Sequence, residues 1–139
     1  MNLYLSEFAV SPDNKPRHAY DAGIDVVLTF CKRHSIHCWR SSVFADYPEI
    51  ENRIKKSDLF VALIDKYWSS STWKGHEFTF SSGGPSMIDG ANGVCVSKRI
   101  ALLVDGLEFP SCLRHDLAPI VVVNNVEELN DALSQAFTA

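Results

Sequence analysis

The chain of 139 residues lacks the usual signatures of nucleotide and ester chemistry. Neither GxGxxG nor GxxxxGK[ST] occurs, so a standard dinucleotide fold or P-loop site is not supported. The glycines at Gly83-Gly84 and Gly90/Gly93 follow a predicted helix rather than a strand, and they read as a loop. No GxSxG elbow is present for a Ser-His-Asp hydrolase. Cys31, Cys38, Cys95 and Cys112 include no CxxC pair, and the five histidines are scattered, so no metal site is expected. Met1-Asn2-Leu3-Tyr4-Leu5-Ser6-Glu7 has no basic stretch and no long apolar run, which argues against a signal peptide or membrane span. Reduced thiols and a cytoplasmic location are the corresponding expectations. A net charge of −4 without a basic stripe argues against nucleic-acid binding.

Apolar residues make up 46% and charged residues 22%, as in an ordinary soluble globular protein, and residues 1–139 read as a single domain. Leu3-Tyr4-Leu5 predicts a first strand. Tyr20, Ile24, Val27 and Cys31 follow helical spacing from Ala19, with Gly23 as a weak point. Ile36–Trp39 predicts a second strand, a loop runs from Ser41 to Pro48, and Ile50 and Ile54 mark a short helix. Leu59–Ile64 is six apolar residues long, which fits a strand buried on both faces. A helix beginning near Ser71 follows the loop Tyr67–Trp73 and stops at Ser81-Ser82-Gly83-Gly84-Pro85, and Val94-Cys95-Val96 reads as a strand fragment. Ile100–Val104 and Ile120–Val123 complete the strands, with an irregular crossover between them. The last helix carries Val126, Leu129, Leu133 and Phe137 on one face, capped by Asn125 with Glu128. Strands alternating with helices predict an α/β fold: a flavodoxin-like, doubly wound parallel sheet of about five strands.

In such a sheet the ligand site lies at the carboxyl ends of the strands. Three ends are expected to meet there: Ser6, Glu7 and Phe8; then Trp39, Arg40 and Ser41; then Tyr67 to Trp73. Glu77 follows in the second turn of its helix, too deep for a capping box, and shares a helical face with Trp73. An unpaired carboxylate among aromatic rings suits a flat cationic ligand, which rings stack on and the carboxylate stabilises. Trp39 and Trp73 as core rings, with Glu77 solvated, is the alternative that composition leaves open.

These residues resemble the TIR (Toll/interleukin receptor) domain. The likeness lies in Ile54-Lys55-Lys56-Ser57-Asp58 running into the third strand, then Tyr67, then Ser71-x-Trp73 and Glu77 four residues beyond. The specific motif spans about Ile50 to Phe78, while the element order matches over almost the whole chain. The resemblance implies cleavage of the N-glycosidic bond of NAD, which is substrate rather than cofactor, with Glu77 as the catalytic carboxylate. Ser6, Phe8, Trp39, Tyr67, Ser71 and Trp73 would bind substrate. A chain of this type resembles the stand-alone TIR proteins of bacterial anti-phage systems such as Thoeris, which make an ADP-ribose-derived signal for a separate effector. Homo-oligomers through TIR–TIR contacts are implied too, with Val43, Phe44 and Tyr47 of the Ser41–Pro48 loop as the apolar contact. The chain departs from the family at Ser6-Glu7-Phe8, at Trp39-Arg40-Ser41-Ser42 and at Lys74, where a cysteine is usual. Nucleoside deoxyribosyltransferases, with a similar sheet and a glutamate against a glycosidic carbon, are a second enzymatic reading. A non-enzymatic TIR adaptor is the third.

Overall fold

A computed structural model describes residues 1–8, 15–41, 46–91, 93, 95–113 and 119–138. Five strands, β1 (Asn2–Ser6), β2 (His37–Arg40), β3 (Leu59–Ile64), β4 (Lys98–Leu103) and β5 (Val121–Val123), form one sheet in the order β2-β1-β3-β4-β5. Every neighbouring pair is parallel. The helices are α1 (His18–Arg33), α2 (Tyr47–Lys55), α3 (Lys66–Ser70), α4 (Thr72–Ser81) and α5 (Val126–Thr138). This is the expected flavodoxin-like doubly wound sheet, and its strand order reverses between β1 and β3.

Strand alternation divides the core into two layers. Leu3, Leu5, Val61, Leu63, Ile100 and Leu102 face α1 and α5. Tyr4, Phe60, Ala62, Ile64, Ala101 and Leu103 face the other way, toward Ile50 and Ile54 of α2 and Phe78 of α4. Every side chain of β3 is buried, because β3 is central and both faces are covered. The spacing of Tyr20, Ile24, Val27 and Cys31 does place one buried face on α1. Gly23 lies in that face, where a Cβ would stand 2.9 Å from Leu102 Cδ2, so its bareness lets α1 settle on β4. Asn125 accepts the Glu128 amide at 2.8 Å, as its spacing predicts.

Several boundaries differ from the sequence expectations. The polar stretch after β3 contains the five-residue helix α3, because Asp65 accepts the amides of Tyr67 and Trp68 and nucleates a turn there. Val104 leaves β4 for a 3-10 turn, Val104–Gly106, in which Asp105 and Gly106 have φ of 58° and 70°. The fragment around Cys95 is reduced to an isolated antiparallel bridge to Ser82. Val43 and Phe44 lie outside the described residues.

Candidate active site

Two successive caps bring Glu77 to the carboxyl edge of the sheet. Asp65 ends β3 and starts α3, and Ser71, with extended backbone, ends α3 and caps α4 by accepting the Lys74 amide at 3.4 Å. The resulting turn lays α4 against the end of β1 and directs Glu77 inward, where it is 0% exposed. Ser6, the last residue of β1, donates through Oγ to Glu77 Oε1 at 2.8 Å. The indole Nε1 of Trp68, from α3, donates to Ser6 Oγ at 3.0 Å and so fixes the hydroxyl's direction. Lys74 Nζ donates to Glu77 Oε2 at 3.1 Å and to Ser41 Oγ at 2.8 Å. Ser41 in turn accepts the Glu7 amide at 2.9 Å and donates to the Glu7 carbonyl at 3.0 Å, tying the end of β2 to the end of β1.

Burial raises the Glu77 carboxyl above its ordinary range; the Lys74 charge and the hydrogen bonds from Ser6 and Lys74 oppose the rise without cancelling it. The Tyr4 hydroxyl lies close enough to stabilise the carboxylate, but off the geometry of a regular hydrogen bond. Burial first, and Glu77's charge second, hold the proton on that phenol. Tyr4 is therefore a neutral dipole beside Glu77.

A second buried carboxylate stands nearby. Glu7 is fully buried and accepts a two-pronged bond from Arg40, Nε at 2.9 Å and Nη2 at 2.8 Å. The Arg40 side chain remains 34% exposed, so this pair sits at the rim. Arg17 bonds the Asp65 carboxylate and the Phe8 carbonyl, and its guanidinium lies 3.8 Å over the Tyr20 ring.

The structure sorts the residues expected to form the site. Ser6 and Glu77 meet directly. Phe8 stacks on Tyr67 with ring centroids 6.5 Å apart, and the two line a small cavity of about 150 Å³ with Ser70 and Ser71. Ser71 also has a structural task as the α4 cap. The two expected tryptophans engage neighbours on the α2 side instead. Trp73 stacks on Tyr47 at 4.1 Å, and Trp39 lies under the Arg53 guanidinium at 4.9 Å. Tyr47, expected in an exposed contact loop, is half-buried in that stack. The indole that reaches the site is Trp68, which the loop reading missed. Glu77 is not unpaired, and its partner Lys74 was signalled by its position one helical turn before it. Ser41 was signalled only as the end of the second strand, and its bond to Lys74 follows from β1 and β2 ending side by side.

No protein-family model matches the chain, and no curated protein matches it in sequence. Among solved structures the chain is similar to a CMP N-glycosidase of Clostridium botulinum, BcmB. The TM-score is 0.58 at 16% identity, covering 97% of this chain and 98% of that one. The likeness is one of fold and extends over the whole sheet and its helices.

Proposed function

We propose that this chain cleaves the N-glycosidic bond of a nucleotide, with Glu77 as the carboxylate set beside the sugar's C1′. The observation that carries the reading is a wholly buried glutamate at the carboxyl edge of a doubly wound sheet, held by groups from β1 and α4 and raised in pKa by its burial. Two independent likenesses support it. One is the fold shared with a protein described as a CMP N-glycosidase. The other is the Ser71-x-Trp73-x-x-x-Glu77 pattern shared with NAD-cleaving TIR domains. CMP and NAD have a base joined to ribose through an N-glycosidic bond in common, and NAD, whose nicotinamide leaves as a neutral base, stays within the proposed class.

In the cleavage the C1′–N bond breaks and its electron pair leaves with the base. Positive charge develops on C1′ and the ring oxygen, and an adjacent carboxylate stabilises it. Water supplies the hydroxyl that ends on C1′; its remaining proton ends on the base where cytosine leaves as an anion, and in solvent where nicotinamide leaves neutral. Lys74 Nζ occupies Glu77 Oε2 and its side chain is 10% exposed, so on this reading substrate reaches that oxygen only where the side chain is displaced.

Purified protein incubated with cytidine 5′-monophosphate and, separately, with NAD should release cytosine or nicotinamide, detected by liquid chromatography and mass spectrometry. Glu77→Gln, nearly isosteric, should lower that rate by about 10²–10³ or more. Release of neither base, or equal release by a folded Glu77→Gln variant, overturns the reading.

A further inference from the structure

A larger cleft adjoins the small cavity of Phe8, Tyr67 and Ser71. Its volume is about 650 Å³, within the range of small-molecule sites, and it is formed by the approach to α1, the β3–α3 turn and the turn after β4. It thus lies at the carboxyl edge beside the β1–β3 reversal, where doubly wound sheets take their ligands. Tyr67 lines this cleft and also the small cavity next to Phe8 and Ser71, so one ring borders both spaces.

The cleft gathers positive charge in a chain that is acidic as a whole. Lys15, His18 and Lys66 line it with Arg17. Arg17 is fixed as a wall by Asp65 and by the Phe8 carbonyl, and Asp65 is fully engaged with Arg17 and the α3 cap. Asp105, exposed at the end of β4, is the other acidic group on the lining, and it disfavours an anion at its own end. Lys66 and His18, both exposed on the lining, are therefore the end suited to an anion. Phosphate oxygens, as acceptors of charge-assisted hydrogen bonds, match such a set.

We propose that this cleft holds the phosphate of the substrate, so that the chain acts on nucleoside phosphates in preference to free nucleosides. The inference rests on the N-glycosidase reading and specifies its substrate class. Base and C1′ lie on the Glu77 side of Tyr67, and the 5′-phosphate lies on the Lys66 side.

Ribose 5-phosphate, which carries the phosphate but no base, tests the cleft without cleavage. Calorimetric titration should show it binding wild type and Glu77→Gln alike, with ribose weaker by about tenfold or more. Lys66→Glu places a carboxylate on an exposed position of the lining and should weaken ribose 5-phosphate by a similar factor. The variant's unchanged melting temperature confirms an intact fold. Equal binding by wild type and Lys66→Glu, or no preference for ribose 5-phosphate over ribose, overturns the phosphate site. Phosphate preference without base release from any nucleotide leaves this site standing and removes the glycosidase reading. Base release with no phosphate preference does the reverse.

Discussion

At Glu77 the decisive quantity is the balance between burial, which disfavours the charge, and Lys74, which favours it. Burial prevails, so the folded carboxyl holds its proton to higher pH than the unfolded one. Between the ordinary value of 4.5 and the raised one, the native state binds the extra proton, and stability falls as pH rises through that window. Glu77→Gln has no such titration. The stability of wild type relative to Glu77→Gln, measured by urea unfolding, should therefore decline across the window and level off on either side. Activity follows the opposite sign, because the proposed reaction needs the carboxylate. Cleavage should rise with pH along an acid limb above the usual glutamate range. Lys74→Met removes the nearest cation and should move that limb to still higher pH in a profile of kcat/KM. A limb that stays in place would show that Lys74 does not set the charge of Glu77.

Among the elements, the turn from β3 through α3 into α4 positions the site, and its two caps differ in weight. Asp65→Ala removes the side-chain acceptor of two backbone amides and also takes the carboxylate from Arg17, whose side chain is 9% exposed. Breaking a buried pair from one side costs about 3–5 kcal/mol. Ser71→Ala removes a single long cap bond, and a cap is worth about 1 kcal/mol. Urea midpoints should therefore fall much further for Asp65→Ala than for Ser71→Ala, and the reverse order would mean that α3 is not held by Asp65. The same turn marks where the sequence stops being legible. Runs such as Leu59–Ile64 and the 3.6-residue spacing in α1 and α5 announce themselves, because burial of a whole strand or face leaves a periodic trace. A five-residue helix has no period to read, so α3 passed for loop and Trp68 for a loop residue. The tryptophans that looked like ligand platforms, Trp39 and Trp73, cover α2 and Tyr47, contacts between distant segments that local spacing does not encode.

Across the whole molecule, parallel strands of differing length bring distant residues to one edge: Ser6, Ser41 and Glu77 in one hydrogen-bonded group, and Lys15, His18 and Lys66 on the lining of one cleft. The parallel sheet was implicit in the alternation of elements, but the placing of these two groups was not, since it depends on strand order and on where each strand ends relative to its neighbours. The arrangement also gives the molecule a charge pattern opposite to its net charge of −4: a positive cleft in an acidic body. An anionic substrate is then repelled at a distance and attracted only near the cleft, where Lys15 and Lys66 are exposed and hence open to screening. Raising ionic strength from about 0.05 M to about 0.5 M shortens the screening length well below the span of such a cleft. The KM for a nucleoside 5′-monophosphate should rise several-fold over that range, about what loss of one exposed charge contact implies. The corresponding free nucleoside, which has no charge to screen, should show a flat KM, and kcat should change little for either. Initial rates at a series of salt concentrations measure all of this. A salt-independent KM for the monophosphate would place the phosphate away from the lysines and leave the net charge of the body, rather than the cleft, as the field that the substrate meets.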